Sequence, residues 1–178
     1  MVTPRLETLC TALAQVLIAR KLSMVSAESC TGGLIAASCT QLSGSSAWFE
    51  RGFVTYSNAA KSELLGVAAS LIESQGAVSE EVAKAMALGA LAHSPAHISV
   101  AVTGIAGPTG GSDAKPVGTV WLAWAWRDSK QVLHSETLLR QFEGTRSEVR
   151  DATAELALAH LTELVGKLLE TTGKKIPT

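Results

Sequence analysis

The stretch Leu22-Ser23-Met24-Val25-Ser26-Ala27-Glu28-Ser29-Cys30-Thr31-Gly32-Gly33-Leu34-Ile35-Ala36-Ala37 decides the fold. Leu22 to Ala27 reads as a short apolar strand, and a helical pattern begins at Leu34. Two glycines stand at the junction, where the missing Cβ lets a backbone come close to a ligand. A strand–turn–helix junction exposes a side chain at the end of a sheet. It also aims the unpaired N–H groups of the helix start at whatever sits there. Ser29 occupies that spot. A serine so placed can attack a carbonyl while the adjacent amides hold the resulting oxyanion. It can equally do no more than cap the helix, and the stretch by itself leaves both readings open.

Working outward, Thr3-Pro4 is a helix opening, with a capping hydroxyl and a proline in the first turn. Leu6, Leu9, Leu13, Val16 and Leu17 follow at helical spacing and predict an amphipathic helix from about 4 to 20. Past the central stretch, the second helix is expected from near Thr31 to about Leu42. Arg51 to Tyr56 reads as a second strand, closed by Ser57-Asn58, which can cap the helix carrying Lys61, Leu64 and Leu65. A short helical piece from Ala68 to Glu73 is broken by Gly76, and Ser79-Glu80-Glu81 opens another helix that ends before Pro95. His97 to Thr103 is a third strand, followed by a glycine-rich loop from Gly104 to Gly111. Val117 to Trp126 reads as a strand buried on both faces, in hairpin with Gln131 to Leu139. A last helix starts at Gly144-Thr145-Arg146 and runs to about Leu169.

Strands alternating with helices, closed by a hairpin, predict an α/β fold. The expected form is a three-layer α/β/α domain with a mixed, mostly parallel sheet of about five strands. Residues 1–172 are read as one domain and 173–178 as a frayed tail. The length of 178 residues suits one domain with a sizeable core, and 47% hydrophobic residues exclude a disordered chain. A net charge of -1 gives no basic stripe for nucleic acid and no field for an anionic membrane. No apolar run reaches the roughly 18 residues of a membrane span, and the first residues lack the order of a signal peptide. Cys10, Cys30 and Cys39 are too few and too scattered for a disulfide framework, which points to a reducing cytoplasm.

In such sheets ligands bind beyond the carboxyl ends of the strands, and three of those ends carry chemistry: Ser29, Tyr56 and Thr103-Gly104. Lys61 lies on the helix after Tyr56 and can face the same cleft. Solvated, it is idle. Desolvated, its pKa falls and it becomes a base able to take the proton of Ser29, the Ser-Lys form of a nucleophile–base pair. Cys30 is a rival nucleophile, but no histidine is near it in sequence, and it reads as a packed residue. His93 and His97 are separated by Pro95, and the His134/Glu136 pair lacks the cysteines of a zinc deaminase, so a metal site is not expected. The loop Gly104–Gly111, interrupted by Pro108, is a poor dinucleotide fingerprint, although its N–H groups suit an anion. Arg146 is a candidate phosphate clamp or a solvated arginine. Trp121, Trp124 and Trp126 read as core rather than as a stacking platform.

Several blocks then add up. They are Ala27-Glu28-Ser29-Cys30-Thr31-Gly32-Gly33, the run from Gly44 to Asn58 with Lys61 after it, Gly76-Ala77-Val78-Ser79, Thr103-Gly104-Ile105-Ala106-Gly107-Pro108 with Gly110-Gly111, and Lys115-Pro116-Val117-Gly118-Thr119-Val120. Together, from about residue 5 to 165, they resemble the CinA C-terminal domain family in its stand-alone nicotinamide-nucleotide amidase form. The resemblance implies hydrolysis of the carboxamide of nicotinamide mononucleotide to nicotinic acid mononucleotide and ammonia, a salvage step that needs no cofactor and no metal. It implies Ser29 as nucleophile, Lys61 as general base and Tyr56 as its helper. Thr31, Gly32, Gly33, Thr103, Gly104, Gly107 and Arg146 are the expected substrate-binding residues. It also implies a homo-oligomer, most often a dimer. The chain is too short for the extra N-terminal domain of the larger CinA proteins, which favours the stand-alone form. Two other readings stay in play: a non-catalytic nucleotide-binding or regulatory module, and an amidase for another small carboxamide.

Overall fold

A computed structural model describes residues 2–128 and 130–170. The expected tail from 173 to 178 lies outside the described residues. The described residues form five strands: β1 (Met24–Glu28), β2 (Phe49–Val54), β3 (Ile98–Gly104), β4 (Thr119–Arg127) and β5 (Leu133–Gln141). They form one mixed sheet in the order β2-β1-β3-β4-β5. β1 pairs in parallel with β2 and with β3, while β4 is antiparallel to both β3 and β5. Four strands therefore share one direction and β4 alone runs against them. Val54, Glu28 and Val102 lie side by side in the register. The three carboxyl ends thus open at one edge of the sheet, where Ser29, Thr55 and Thr103 follow.

The helices are α1 (Pro4–Ala19), α2 (Leu34–Thr40), α3 (Asn58–Leu65), α4 (Ala69–Gln75), α5 (Glu80–Ala92) and α6 (Arg146–Glu170). Side chains alternate between sheet faces with a period of two, and the two faces differ in size. Met24, Val100, Leu122 and Trp124 pack with Leu13 of α1, Ile35 of α2 and Leu158 of α6. Val25, Ala27, Ala101, Ala123 and Ala125 pack on the other face with Val82, Ala83, Met86 and Ala87 of α5 and with Leu65 and Ile72 of α3 and α4. Small residues on both sides of this second interface bring α5 close to the sheet, and the bulk of Trp124 is spent on the opposite face. Its indole N–H, fully buried, donates to the Ala157 carbonyl at 3.2 Å. Among the described residues, no helix is long and apolar enough to cross a membrane.

Several boundaries differ from the sequence expectation by a few residues, and two of them bear on the site. α2 starts at Leu34 rather than Thr31, because Gly32 and Gly33 have φ of +60° and +94°, in the left-handed region. β2 stops at Val54, so Tyr56 stands beyond the strand rather than at its end. Ser57 caps α3 as expected, its Oγ accepting from the Ala60 amide at 3.0 Å.

α3 is seated by Gly89 of α5, where an added Cβ would lie 2.2 Å from the Leu65 carbonyl oxygen. Gly89→Ala is expected to lower the unfolding free energy by about 1–3 kcal/mol, the usual range for overpacking, as read by urea denaturation.

Candidate active site

The site begins where β1 ends. The Ser29 amide donates to the Val102 carbonyl at 3.0 Å, extending the pairing with β3 by one residue. On the other side, the Glu28 carbonyl accepts from the Thr55 amide at 2.8 Å. The chain then turns away. The Gly32 amide donates back to the Ser29 carbonyl at 3.1 Å, and the left-handed glycines complete the bend into α2.

Lys61 comes from the first turns of α3 and is only 1% exposed. Its Nζ donates to Ser29 Oγ at 3.1 Å and to the Thr55 carbonyl at 2.9 Å. Thr55 therefore binds Glu28 through its N–H and Lys61 through its C=O, so strand pairing sets the distance between amine and serine. No carboxylate among the described residues forms an ion pair with Lys61. Burial pulls the Lys61 ammonium below its ordinary 10.5, and the neighbouring Cys30 pulls weakly the other way. Ser29, 8% exposed, is not a helix cap: α2 is preceded by Gly33, and no side chain from that position caps it.

The α2 amides have another partner. Glu28, fully buried, accepts from the Ile35 amide (3.0 Å), the Ala36 amide (2.8 Å), Thr31 Oγ1 (2.7 Å) and Ser26 Oγ (3.2 Å). The helix start is thus occupied from inside the protein. Among the described residues, no backbone carbonyl accepts from the amides of Cys30, Thr31 or Gly33.

Ser29, Lys61, Tyr56, Thr103, Gly104 and Arg146 line one cavity of about 270 Å³, together with Cys30, Asn58, Ala77, Val78 and Ala106. Thr31, Gly32, Gly33 and Gly107 are not on its wall. Thr31 is buried with its hydroxyl on Glu28. The Gly107 carbonyl accepts from Arg146 Nη1 at 2.9 Å. Arg146 Nη2 donates to the Tyr56 hydroxyl at 3.0 Å, so the phenol, 62% exposed, is engaged by Arg146 rather than by Lys61. Thr103 Oγ1 donates to the Ala77 carbonyl at 2.8 Å and anchors the wall after α4. Lys115 Nζ secures the same segment through the Val78 carbonyl at 2.7 Å.

Sequence reasoning passed over Glu28 and Arg150. Glu28 was legible as an acid beside the candidate nucleophile with a threonine three residues on. Arg150 was legible as the residue four positions after Arg146 on the same helix, hence on the same face. Arg150 donates from Nε and Nη2 to the Thr31 carbonyl at 3.2 and 2.7 Å.

The Cys30 thiol is pushed up to about 12, chiefly by burial. The thiolate is the nucleophile, so iodoacetamide at pH 7.5 is expected to leave turnover unchanged. Time-dependent inactivation traced to Cys30 by mass spectrometry would contradict this. The histidines are spread over separate contacts: His97 Nδ1 accepts from the Ser23 amide at 3.0 Å, His134 pairs with Asp128 at 3.0 Å, and His160 pairs with Glu136. Among the described residues, no group of three or more His, Cys, Asp or Glu is placed to hold a metal ion.

The model of the family described as "CinA C-terminal domain" matches residues 6–165. A relative from Enterobacter agglomerans, named nicotinamide-nucleotide amidohydrolase PncC, is 52% identical over 154 residues, which is 86% of this chain and 92% of the relative. The protein of that name from Pseudomonas putida is 52% identical over 89% of this chain and 96% of its own length. Among solved structures, a competence-damaged protein (CinA) superfamily protein from Klebsiella pneumoniae superposes with a TM-score of 0.85 at 38% identity, covering 91% of this chain and 98% of that one. The competence/damage inducible protein CihA from Agrobacterium tumefaciens gives 0.83 at 43% identity, covering 94% and 98%.

Proposed function

We propose, since this chain belongs to the CinA C-terminal domain family and holds a buried Lys61 against Ser29, that it hydrolyses the carboxamide of nicotinamide mononucleotide to nicotinic acid mononucleotide and ammonia. The substrate is inferred from the activity for which the relatives are named, nicotinamide-nucleotide amidohydrolase, and the chemistry is supported by one observation. A lysine amine 3.1 Å from a serine hydroxyl, 1% exposed and without a carboxylate partner among the described residues, is a base in waiting.

In the proposed reaction Ser29 Oγ attacks the amide carbon while neutral Lys61 takes the serine proton. The carbonyl oxygen becomes an oxyanion, received by the Cys30 amide, which belongs to a residue of the cavity wall and which no backbone carbonyl among the described residues engages. One such donor is worth roughly 3–4 kcal/mol. The C–N bond then breaks, and ammonia leaves with the proton returned by Lys61. Water attacks the acyl ester, its proton passes to Lys61, and the C–Oγ bond breaks as Ser29 regains its hydrogen. The pyridinium charge of the substrate would help keep Lys61 neutral. Arg146 offers a guanidinium to the phosphate from the cavity wall. Tyr56 holds that guanidinium through its hydroxyl, the role its geometry supports.

An ammonia-release assay with nicotinamide mononucleotide tests the reading, and one acid product per ammonia, at a rate unchanged by a chelator, is the expected result. A thermal shift without ammonia would make the chain a binding module. Faster release from an unrelated carboxamide would make it a different amidase. The dimer implied by the resemblance is tested by sedimentation of the same sample.

A further inference from the structure

Thr31 is gripped at both of its polar ends by opposite charges. Its hydroxyl donates to Glu28 Oε2 at 2.7 Å, and its carbonyl accepts twice from Arg150, at 3.2 and 2.7 Å. Neither charge forms an ion pair among the described residues, and neither lines the cavity. Glu28 sits below the turn, and Arg150 reaches it from α6, 119 residues further along the chain. The segment between them carries two left-handed glycines, so its own backbone constrains it little. The peptide linking Thr31 to Gly32 presents its carbonyl to Arg150 and its N–H to the Ser29 carbonyl at 3.1 Å. Whatever fixes Thr31 therefore fixes the loop that closes on Ser29.

The geometry points to Glu28 and Arg150 as positioning residues that lock the nucleophile turn by holding Thr31 from either side. This rests on the Ser29 reading above. A nucleophile and its oxyanion donors must be held to about 0.5 Å to work, and hydrogen bonds to a charged partner are roughly twice as strong as neutral ones. The grip acts on the bound substrate only through Ser29 and the neighbouring amides, so it governs turnover and leaves ground-state binding alone.

The test compares the full chain with Arg150→Gln, Arg150→Lys, Thr31→Val and Glu28→Gln, measuring kcat and KM for ammonia release from nicotinamide mononucleotide beside thermal unfolding. Arg150→Gln and Thr31→Val are expected to lower kcat by about 10- to 100-fold with KM within about twofold, the split that marks an interaction made only in the transition state. Arg150→Lys should recover part of the loss. Glu28 is buried, so its variant can fail to fold; Arg150 is only half-buried, which keeps the test decisive. An Arg150→Gln protein with unchanged kcat, or with raised KM at unchanged kcat, overturns the proposal. If the wild-type chain releases no ammonia from this substrate, the substrate reading fails alone. The same comparison is then read from the rate of Ser29 phosphonylation by a small fluorophosphonate, which needs the nucleophile and its turn but no nucleotide. Equal labelling rates in wild type and Arg150→Gln would overturn the proposal there.

Discussion

Ser29→Ala is expected to abolish ammonia release, with kcat reduced by at least roughly 10⁴-fold, the scale on which removal of a serine nucleophile acts in enzymes that use a nucleophile–base pair. The fold should survive. The serine hydroxyl meets Lys61 Nζ at 3.1 Å, and Lys61 keeps the Thr55 carbonyl when that hydroxyl goes. The lost hydrogen bond is worth about 1 kcal/mol. Thermal unfolding by circular dichroism should therefore move little while the ammonia signal vanishes. A Ser29→Ala protein that still turns over at a measurable fraction of the wild-type rate ends the nucleophile assignment, and with it the catalytic meaning of the junction at the end of β1.

Lys61→Met separates the base from the space it fills. Methionine keeps an unbranched apolar chain of similar length in a site that is 1% exposed, so packing changes little. Activity should fall by roughly 10²–10⁴-fold, the usual worth of a positioned general base. Stability should rise, with a definite sign in pH. Burial lowers the Lys61 pKa in the folded state below the 10.5 of the unfolded chain. Below the folded pKa both states hold the proton, and the folded state bears the full cost of a buried charge. Between the two values only the unfolded state holds it, so native stability climbs with pH and levels off above 10.5. Methionine has no proton to hold. Its gain in melting temperature should therefore be larger at pH 6 than at pH 10. The wild-type kcat/KM should rise along a limb with its midpoint below 10.5, and the variant should lack that limb. An unaltered limb in Lys61→Met would assign it to another group.

The order of strands and helices was legible because apolar spacing, capping residues and glycines act locally. Thr3-Pro4, Ser57 and Ser79 each cap the helix expected of them. The junction at Ser29 was legible for the same reason, although its start of α2 was misplaced by three residues. A run of Thr-Gly-Gly does not announce that both glycines will be left-handed. The partners of Tyr56 were not legible: the phenol meets Arg146 across 90 residues of sequence, and no local pattern encodes that meeting.

The buried carboxylate shows the same divide. Glu28 reads in sequence as an acid at the end of an apolar strand. Only folding reveals that it is fully enclosed and that four donors converge on it, one from its own strand, one from the turn that follows and two from the start of α2. The unpaired amides at the start of α2 looked available for a ligand until the structure placed Glu28 on them.

By itself, then, the sequence determined the alternation of strand and helix, the two-faced sheet and the serine at the end of its first strand, since each follows from neighbours within a few residues. Tertiary structure alone decided that Lys61 is stripped of water, that Thr55 sets its distance from Ser29, and that Glu28 and Arg150 close on Thr31. Desolvation and charge pairing depend on what is packed around a group, and the packing partners here come from parts of the chain up to 119 residues apart.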